Sequence, residues 1–251
     1  MVADDLGYAV PLRRPVRRVV SLVPSLTEAI AVSAPGRLVG ATDWCVHPVD
    51  LDVTRVGGTK NPDVRRIVQL APDLVIASEE ENREVDVVHL RAQGVPVWVT
   101  DIRSLDGAFE SMERVLGAIA APHRDWLASA RGAWSAAAPV SSGERRRAVV
   151  AIWRRPWMFL GRATYAGDVL RRLGVDNVLA DHAERYPRVD LAELPPHDLV
   201  ILPDEPYRFT AHDGPEAFAG RATALVDGQA LTWYGPRMIA APSELARQLG
   251  R

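Results

Sequence analysis

The sequence predicts an α/β protein of two similar lobes, each with a mainly parallel four-stranded sheet, bridged by a long helical segment. Three observations carry this. Short β-branched runs alternate with helical patterns, as in βα-repeating proteins. The runs divide evenly: Val19–Val23, Arg37–Ala41, Asp73–Ala77 and Pro96–Thr100, then Ala148–Trp153, Val175–Leu179, Asp198–Leu202 and Thr223–Asp227. Between the two sets, residues 104–138 carry no strand signal. A local echo supports the pairing of halves: Pro72-Asp73-Leu74-Val75-Ile76 returns as Pro196-His197-Asp198-Leu199-Val200-Ile201.

The elements follow in order. Ser25 with Glu28 reads as a capping box opening the first helix. Asn61-Pro62-Asp63 supplies a cap, a first-turn proline and a carboxylate for the next. Gly94 and Gly174 stand where a helix needs a C-terminal cap. In the middle segment Phe109, Met112, Leu116 and Ile119 keep helical spacing, as do Trp126, Leu127, Ala130 and Trp134. A continuous helix of this length would reach about 50 Å, and Pro122 should kink or interrupt it. Pro139 to Arg147 reads as a polar, arginine-rich connection. The division is therefore a Rossmann-like α/β lobe over 1–103, a backbone helix over 104–138 and a second such lobe over 139–251.

Composition narrows the function. The 251 residues are 47% hydrophobic and 25% charged, with a net charge of −2, an ordinary globular balance. Near-neutrality argues against nucleic-acid binding, which needs a basic face. No run of about 18 apolar residues is present, so no membrane insertion is expected. Cys45 is the single cysteine, which excludes an intramolecular disulfide. The N-terminus, with Asp4, Asp5 and Pro11, has no apolar h-region before Arg17. A cytoplasmic location is expected on that basis. A periplasmic or surface location would require that a natural signal had been removed.

Open parallel sheets bind ligands beyond the carboxyl ends of their strands. The segments there are Trp44-Cys45-Val46-His47-Pro48, Glu79-Glu80-Glu81-Asn82-Arg83, Trp153 with Arg154-Arg155-Pro156-Trp157, and Trp233-Tyr234-Gly235-Pro236-Arg237. Four of the seven tryptophans, Trp44, Trp153, Trp157 and Trp233, fall in these loops or at their edges. Loops are normally polar, so this concentration suggests a stacking surface. The candidate ligand-binding residues are Trp44, Cys45, His47, Glu80, Glu81, Asn82, Arg83, Trp153, Trp157, Trp233, Tyr234 and Arg237. Each has a packing alternative: a loop tryptophan covers its lobe, a glutamate run suits a helix N-terminus, and Cys45 fills core space. Against the helix-start reading, Asn82-Arg83 directly after the run offer a ligand clamp. Cys45 and His47 share one loop and are the candidate metal ligands. No catalytic residue is nominated. G-x-G-x-x-G, Walker A, G-x-S-x-G and H-E-x-x-H are all absent. Histidines 47, 89, 123, 182, 197 and 212 show no zinc-finger spacing.

The stretch Arg18-Val19-Val20-Ser21-Leu22-Val23-Pro24-Ser25-Leu26-Thr27-Glu28 resembles the opening of the helical-backbone metal receptor superfamily. Val56-Gly57-Gly58-Thr59-Lys60-Asn61 and Leu70-Ala71-Pro72-Asp73-Leu74-Val75-Ile76-Ala77 continue the resemblance, which extends from about Arg17 to Leu249. It is nearest to a signal-less subgroup similar to cobalamin-binding receptors, on Trp44-Cys45-Val46-His47-Pro48, Glu80-Glu81-Asn82-Arg83, Pro156-Trp157-Met158 and Trp233-Tyr234-Gly235-Pro236-Arg237. It implies two α/β lobes joined by one helix, and non-catalytic binding of a corrinoid, cobalamin-like, or another metal chelate between them. Trp44 takes the place of an aromatic residue that contacts the corrin.

The resemblance also implies docking to an ABC permease through a glutamate on each lobe. Here Arg65 stands at the first such position, Val189 to Pro196 is shortened, and Glu193 matches only loosely. A reversed charge repels in a docking pair, so permease docking is doubtful on this reading. Two other classes stay open: a cytoplasmic enzyme or cofactor-handling protein on the same scaffold, and a ligand-dependent regulatory module that binds a partner.

Overall fold

The structure, a computed structural model, describes residues 2–137 and 145–250. The end of the expected backbone helix, at residue 138, and most of the 139–147 connection lie outside the described residues. The chain separates into two compact units. Unit 1 is Met1–Asp101, Phe109–Ala128 and Tyr234–Pro236; unit 2 is Ile102–Ala108, Ser129–Trp233 and Arg237–Arg251.

Unit 1 begins with a hairpin of β1 (Val2–Ala3) and β2 (Ala9–Val10). The buried Asp4 carboxylate ties it down, accepting from the backbone N–H groups of Leu6 and Tyr8 at 3.1 and 2.8 Å and from Arg91 at 2.9 Å. The unit then runs through β3 (Val19–Ser21), α1 (Pro24–Ser33), β4 (Leu38–Ala41), β5 (Thr54–Arg55), α2 (Val64–Gln69), β6 (Leu74–Ser78), α3 (Glu84–Ala92) and β7 (Val97–Thr100). All five strands β3–β7 are parallel, in the order β5-β4-β3-β6-β7. Burial on both sheet faces explains the largely apolar runs of β3, β6 and β7, whereas β5, a Thr-Arg pair at the sheet edge, is half-buried. Leu22, Val75, Val97, Ile67 and Leu90 form the core on one side.

Two helix starts differ from expectation. The cap of α1 is Val23, with Pro24 at the first position; Ser25 and Glu28 already lie inside the helix, so no capping box forms. Proline's fixed φ suits the first turn, and this moves the start forward. The cap of α2 is Asp63, which accepts from Arg66 N–H at 2.9 Å, two residues later than the expected Asn61. Gly94 and Gly174 do adopt the left-handed conformation, both at φ 75°, just beyond α3 and α6 (Tyr165–Arg172).

The middle segment is two helices, α4 (Leu105–Ala118) and α5 (Asp125–Ala136). The break precedes Pro122. Ala120 turns at φ 49°, and the Arg37 guanidinium takes up the carbonyls of Ile119 and Ala120 that a continuing helix would have used. Trp126 Nε1 donates to Ser33 Oγ at 2.8 Å and fixes the start of α5 within unit 1.

Unit 2 contains β8 (Arg146–Trp153), β9 (Met158–Phe159), α6, β10 (Val175–Asn177), β11 (Leu199–Pro203), β12 (Ala222–Val226), α7 (Gly228–Thr232) and α8 (Ala241–Gln248). The parallel order is β10-β8-β11-β12, with β9 antiparallel on β8. All eight expected strands are present. Each sheet has one more, β5 and β9, both two residues long. Among the described residues no helix is long and apolar enough to cross a membrane.

Candidate functional site

In unit 1 the parallel strands end at one edge: Ser21 is level with Ala41 and Ile76, and β6 and β7 run on two residues to the level pair Ser78 and Thr100. The loops leaving this edge carry the unit 1 candidates. Trp44 follows β4 in a turn closed by Cys45 N–H donating to the Thr42 carbonyl at 3.1 Å. It is 67% exposed. Its indole stands over Gly58, where a Cβ would lie 3.7 Å from Nε1. Two anchors hold the loop. The Cys45 side chain is fully buried, its Sγ within 3.0 and 3.1 Å of the hydroxyls of Thr27 and Thr42. From the other side the Arg55 guanidinium donates to the carbonyls of Thr42, Cys45 and Leu51 at 3.1, 2.8 and 3.3 Å.

This arrangement answers the question about Cys45. Burial pushes its thiol up, against the opposing pull of the Thr27 and Thr42 hydrogen bonds. A thiol without solvent access and with a raised pKa is a poor metal ligand, because metals bind the thiolate. His47 is half-buried beside it, and among the described residues no group of three or more His, Cys, Asp or Glu is arranged to hold a metal ion.

The Glu80–Arg83 segment divides by role. Asn82 is buried and committed to the fold: its Oδ1 accepts from Ser78 N–H at 2.8 Å, and its Nδ2 donates to the carbonyls of Thr59 and Leu22 at 2.9 and 3.4 Å. Arg83 forks onto Asp86 at 2.8 and 3.1 Å at the start of α3. An Asn82–Arg83 ligand clamp is thus not what these side chains form. Glu80 and Glu81 are half-buried, and Lys60 Nζ donates to the Glu80 carbonyl at 2.8 Å. Tyr234 belongs to unit 1 although it lies far along the chain. Its phenol is buried, hydrogen-bonds the hydroxyls of Ser78 and Ser25, and is pushed up chiefly by burial, with Glu81 adding to the shift.

In unit 2 an equivalent strand-end edge carries a row of rings. Trp153 ends β8 and is 42% exposed. Its ring meets Tyr207 edge-on at 5.6 Å, and Tyr207 leans on Phe209 at 4.7 Å. Trp157 stacks on Phe209 at 5.9 Å and on Phe159 at 6.2 Å, and Phe218 meets it edge-on at 5.1 Å. Trp157 is half-buried within this stack, while Trp153 presents a face. Charged groups brace the row: Arg154 pairs with Asp213 and, at 2.6 Å, with Glu216. Trp233 is buried with the Arg237 guanidinium 5.2 Å from its ring centroid. Sequence reasoning did not select Tyr207, Phe209 or Arg55. A tyrosine and a phenylalanine two apart after a strand were a readable signal. Hydrogen bonds from Arg55 to backbone carbonyls left none.

Comparison with known proteins bears on these features. The family described as periplasmic binding protein matches residues 19–195. The chain is 24% identical over 185 residues to a vitamin B12-binding protein of Vibrio parahaemolyticus, covering 72% of this chain and 67% of the relative. It is 25% identical over 266 residues to an uncharacterized ABC transporter substrate-binding lipoprotein, YvrC, of Bacillus subtilis, covering 99% and 84%. Its fold is similar to the crystal structure of the periplasmic vitamin B12 binding protein BtuF of Vibrio cholerae, with a TM-score of 0.74 at 20% identity, covering 94% and 97%.

These findings overturn the expected cytoplasmic location, because the family and the similar proteins are periplasmic or lipoprotein substrate-binding components. The inference failed for a physical reason. The expectation rested on the N-terminal stretch alone, and the folded part of a chain carries no record of the compartment it is sent to. The doubt about permease docking that rested on Arg65 likewise gains no support, since similar proteins serve ABC transporters. With more than half of its residues matched, the chain belongs to the periplasmic binding protein family, whose members bind substrates without catalysing their conversion.

Proposed function

We propose that this protein binds a corrinoid, cobalamin-like, as the substrate-binding component of an importer. The observation that carries the reading is the presentation of Trp44: a tryptophan 67% exposed on a loop anchored by Cys45 and Arg55 at the carboxyl edge of a parallel sheet. An exposed indole on a fixed loop loses little entropy when an apolar ring system stacks on it. A corrin offers such a face, with a rim of amides within the hydrogen-bonding repertoire of Glu80 and Glu81. The likeness to vitamin B12-binding proteins supports the same ligand class. In unit 2, Trp153 with Tyr207 offers a second aromatic face.

The test is a titration of the purified protein with hydroxocobalamin, haemin and a ferric chelate, followed by tryptophan fluorescence and calorimetry. Saturable one-to-one quenching by the corrinoid is expected. Absence of saturable binding by the corrinoid, with binding of haemin or the ferric chelate instead, would reassign the ligand.

A further inference from the structure

We infer that Arg55 is a positioning residue for ligand recognition, acting through Trp44 without touching the ligand; this rests on the corrinoid reading above. Arg55 ends the short strand β5, which pairs with the last two residues of β4, Gly40 and Ala41. Its guanidinium donates to three carbonyls of one loop: Thr42 and Cys45 from Nη1, and Leu51 from Nη2. Two of these residues flank Trp44, Cys45 next to it and Thr42 two residues before. The third lies where the chain returns towards β5, so one side chain ties the exit, the turn and the return of the loop.

The remaining restraints on Trp44 sit on its neighbours: Asp43 N–H donates to the Gly57 carbonyl at 2.9 Å. Cys45 is seated in the core among Thr27 and Thr42, and Val46 N–H donates to the Trp44 carbonyl at 3.0 Å. Beyond the turn the loop is open to solvent, with Val46 and Val49 53% and 89% exposed. Apolar residues so exposed do not hold a loop by burial, so its conformation depends on the hydrogen-bonded anchors. Only a planar fork with several fixed N–H donors spans carbonyls at these separate positions; a lysine ammonium supplies one point charge on a flexible stem. The geometry assigns Arg55 the task of keeping the Trp44 indole in its stacking pose before the ligand arrives.

The experiment is a double-mutant cycle of Arg55→Met and Trp44→Ala, with Arg55→Lys as a second variant, read by calorimetric titration with hydroxocobalamin. With Trp44 present, Arg55→Met should weaken binding about tenfold, in the range of coupling between residues that share one loop. Arg55→Lys should recover only a minor part. With Trp44 already replaced by alanine, Arg55→Met should change affinity less than twofold. Equal losses in both backgrounds would overturn the assignment, because they would place Arg55 in general stability or direct contact.

A ligand-independent arm separates this failure from failure of the corrinoid reading. In 5-fluorotryptophan-labelled protein, the Trp44 resonance is identified by its loss in Trp44→Phe. Arg55→Met should broaden or split that resonance in ligand-free protein and leave the Trp98 and Trp134 resonances in place. If the wild type binds no corrinoid while the Trp44 resonance responds in this way, only the ligand assignment fails. An unaltered Trp44 resonance overturns the positioning role.

Discussion

Tyr207 Oη donates to Asp213 Oδ2 at 2.6 Å, and this bond fixes the outer ring of the aromatic row in unit 2. Trp153 rests on Tyr207, so its exposed face is set by a carboxylate six residues beyond Tyr207. Asp213 also pairs with Arg154, whose second partner, Glu216, accepts from Gly214 N–H at 2.6 Å. The loop is thus closed by polar contacts around rings, with the charged groups at the surface and Phe209 and Phe218 buried beneath.

Acid should loosen this face. The hydrogen bond from Tyr207, followed by the charges of Arg154 and Arg155, holds the Asp213 carboxyl below its ordinary value of 3.8. A depressed carboxyl contributes stability that is fully present above its unfolded value and is lost as pH falls through the folded one. Trp153 emission should therefore be constant at neutral pH and change only below about pH 3.8. Asp213→Asn should remove that acid step while sparing the neutral-pH fold. A Trp153 signal that titrates identically in Asp213→Asn would disconnect the two.

Trp44→Ala is expected to reduce corrinoid affinity by roughly 1–3 kcal/mol, on the scale of stacking losses at aromatic platforms. Unfolding stability should stay within about 0.5 kcal/mol of wild type, because the side chain is mostly in solvent. The two measurements together matter. Calorimetric titration and urea melts that both fall would make Trp44 a packing residue.

Most of the eight longer strands were legible because buried parallel strands read as continuous apolar runs whatever they pack against; β12, exposed at Ala222, Thr223 and Leu225, kept enough apolar character to read the same way. The three additional pairings were not. The β1–β2 hairpin, β5 and β9 are two-residue strands whose existence depends on partners elsewhere, such as Arg91 on Asp4. Helix starts misled where two caps competed within three residues: Asn61 N–H closes the turn onto the Gly58 carbonyl, while Asp63 N–H bonds the Val56 carbonyl and its side chain caps α2. At the site, Trp44 and Trp153 were readable as aromatic residues in polar surroundings. Cys45 was readable both as chemistry and as core packing, but Asn82 only as chemistry: an asparagine satisfied by Ser78, Thr59 and Leu22 has the same letter as one free to clamp. Tyr234 was expected in a loop at a strand end, but α7 separates it from β12, and its membership of unit 1, far along the chain from it, has no sequence signal.

Cys45 should resist chemistry in the native state. Its thiol is buried and pushed up by that burial. Reaction with a thiol reagent at pH 8 should follow unfolding, with little labelling in buffer and stoichiometric labelling in denaturant. Cys45→Ser should leave the visible spectrum of a bound corrinoid unchanged. A shift in that spectrum, or rapid labelling of the folded protein, would return Cys45 to the list of metal ligands.

Asn82 tests whether fold and site separate within one segment. Its amide joins three stretches of unit 1: the end of β6 through Ser78, the residue after β3 through Leu22, and the loop before α2 through Thr59. Asn82→Ala would leave the Ser78 N–H and the Thr59 carbonyl without these partners in the interior. Each unsatisfied buried group typically costs about 1–3 kcal/mol. Asn82→Asp keeps an acceptor for Ser78 but turns a carboxylate towards the carbonyls of Thr59 and Leu22, where a donor is required. Both variants should lower the urea midpoint, and Asn82→Asp should recover as pH is reduced and its carboxyl regains a proton to donate. Under conditions where each variant remains folded, corrinoid affinity should fall far less than in Trp44→Ala. A large affinity loss in folded Asn82→Ala, with the urea midpoint unchanged, would make Asn82 a ligand contact and reinstate the clamp with Arg83.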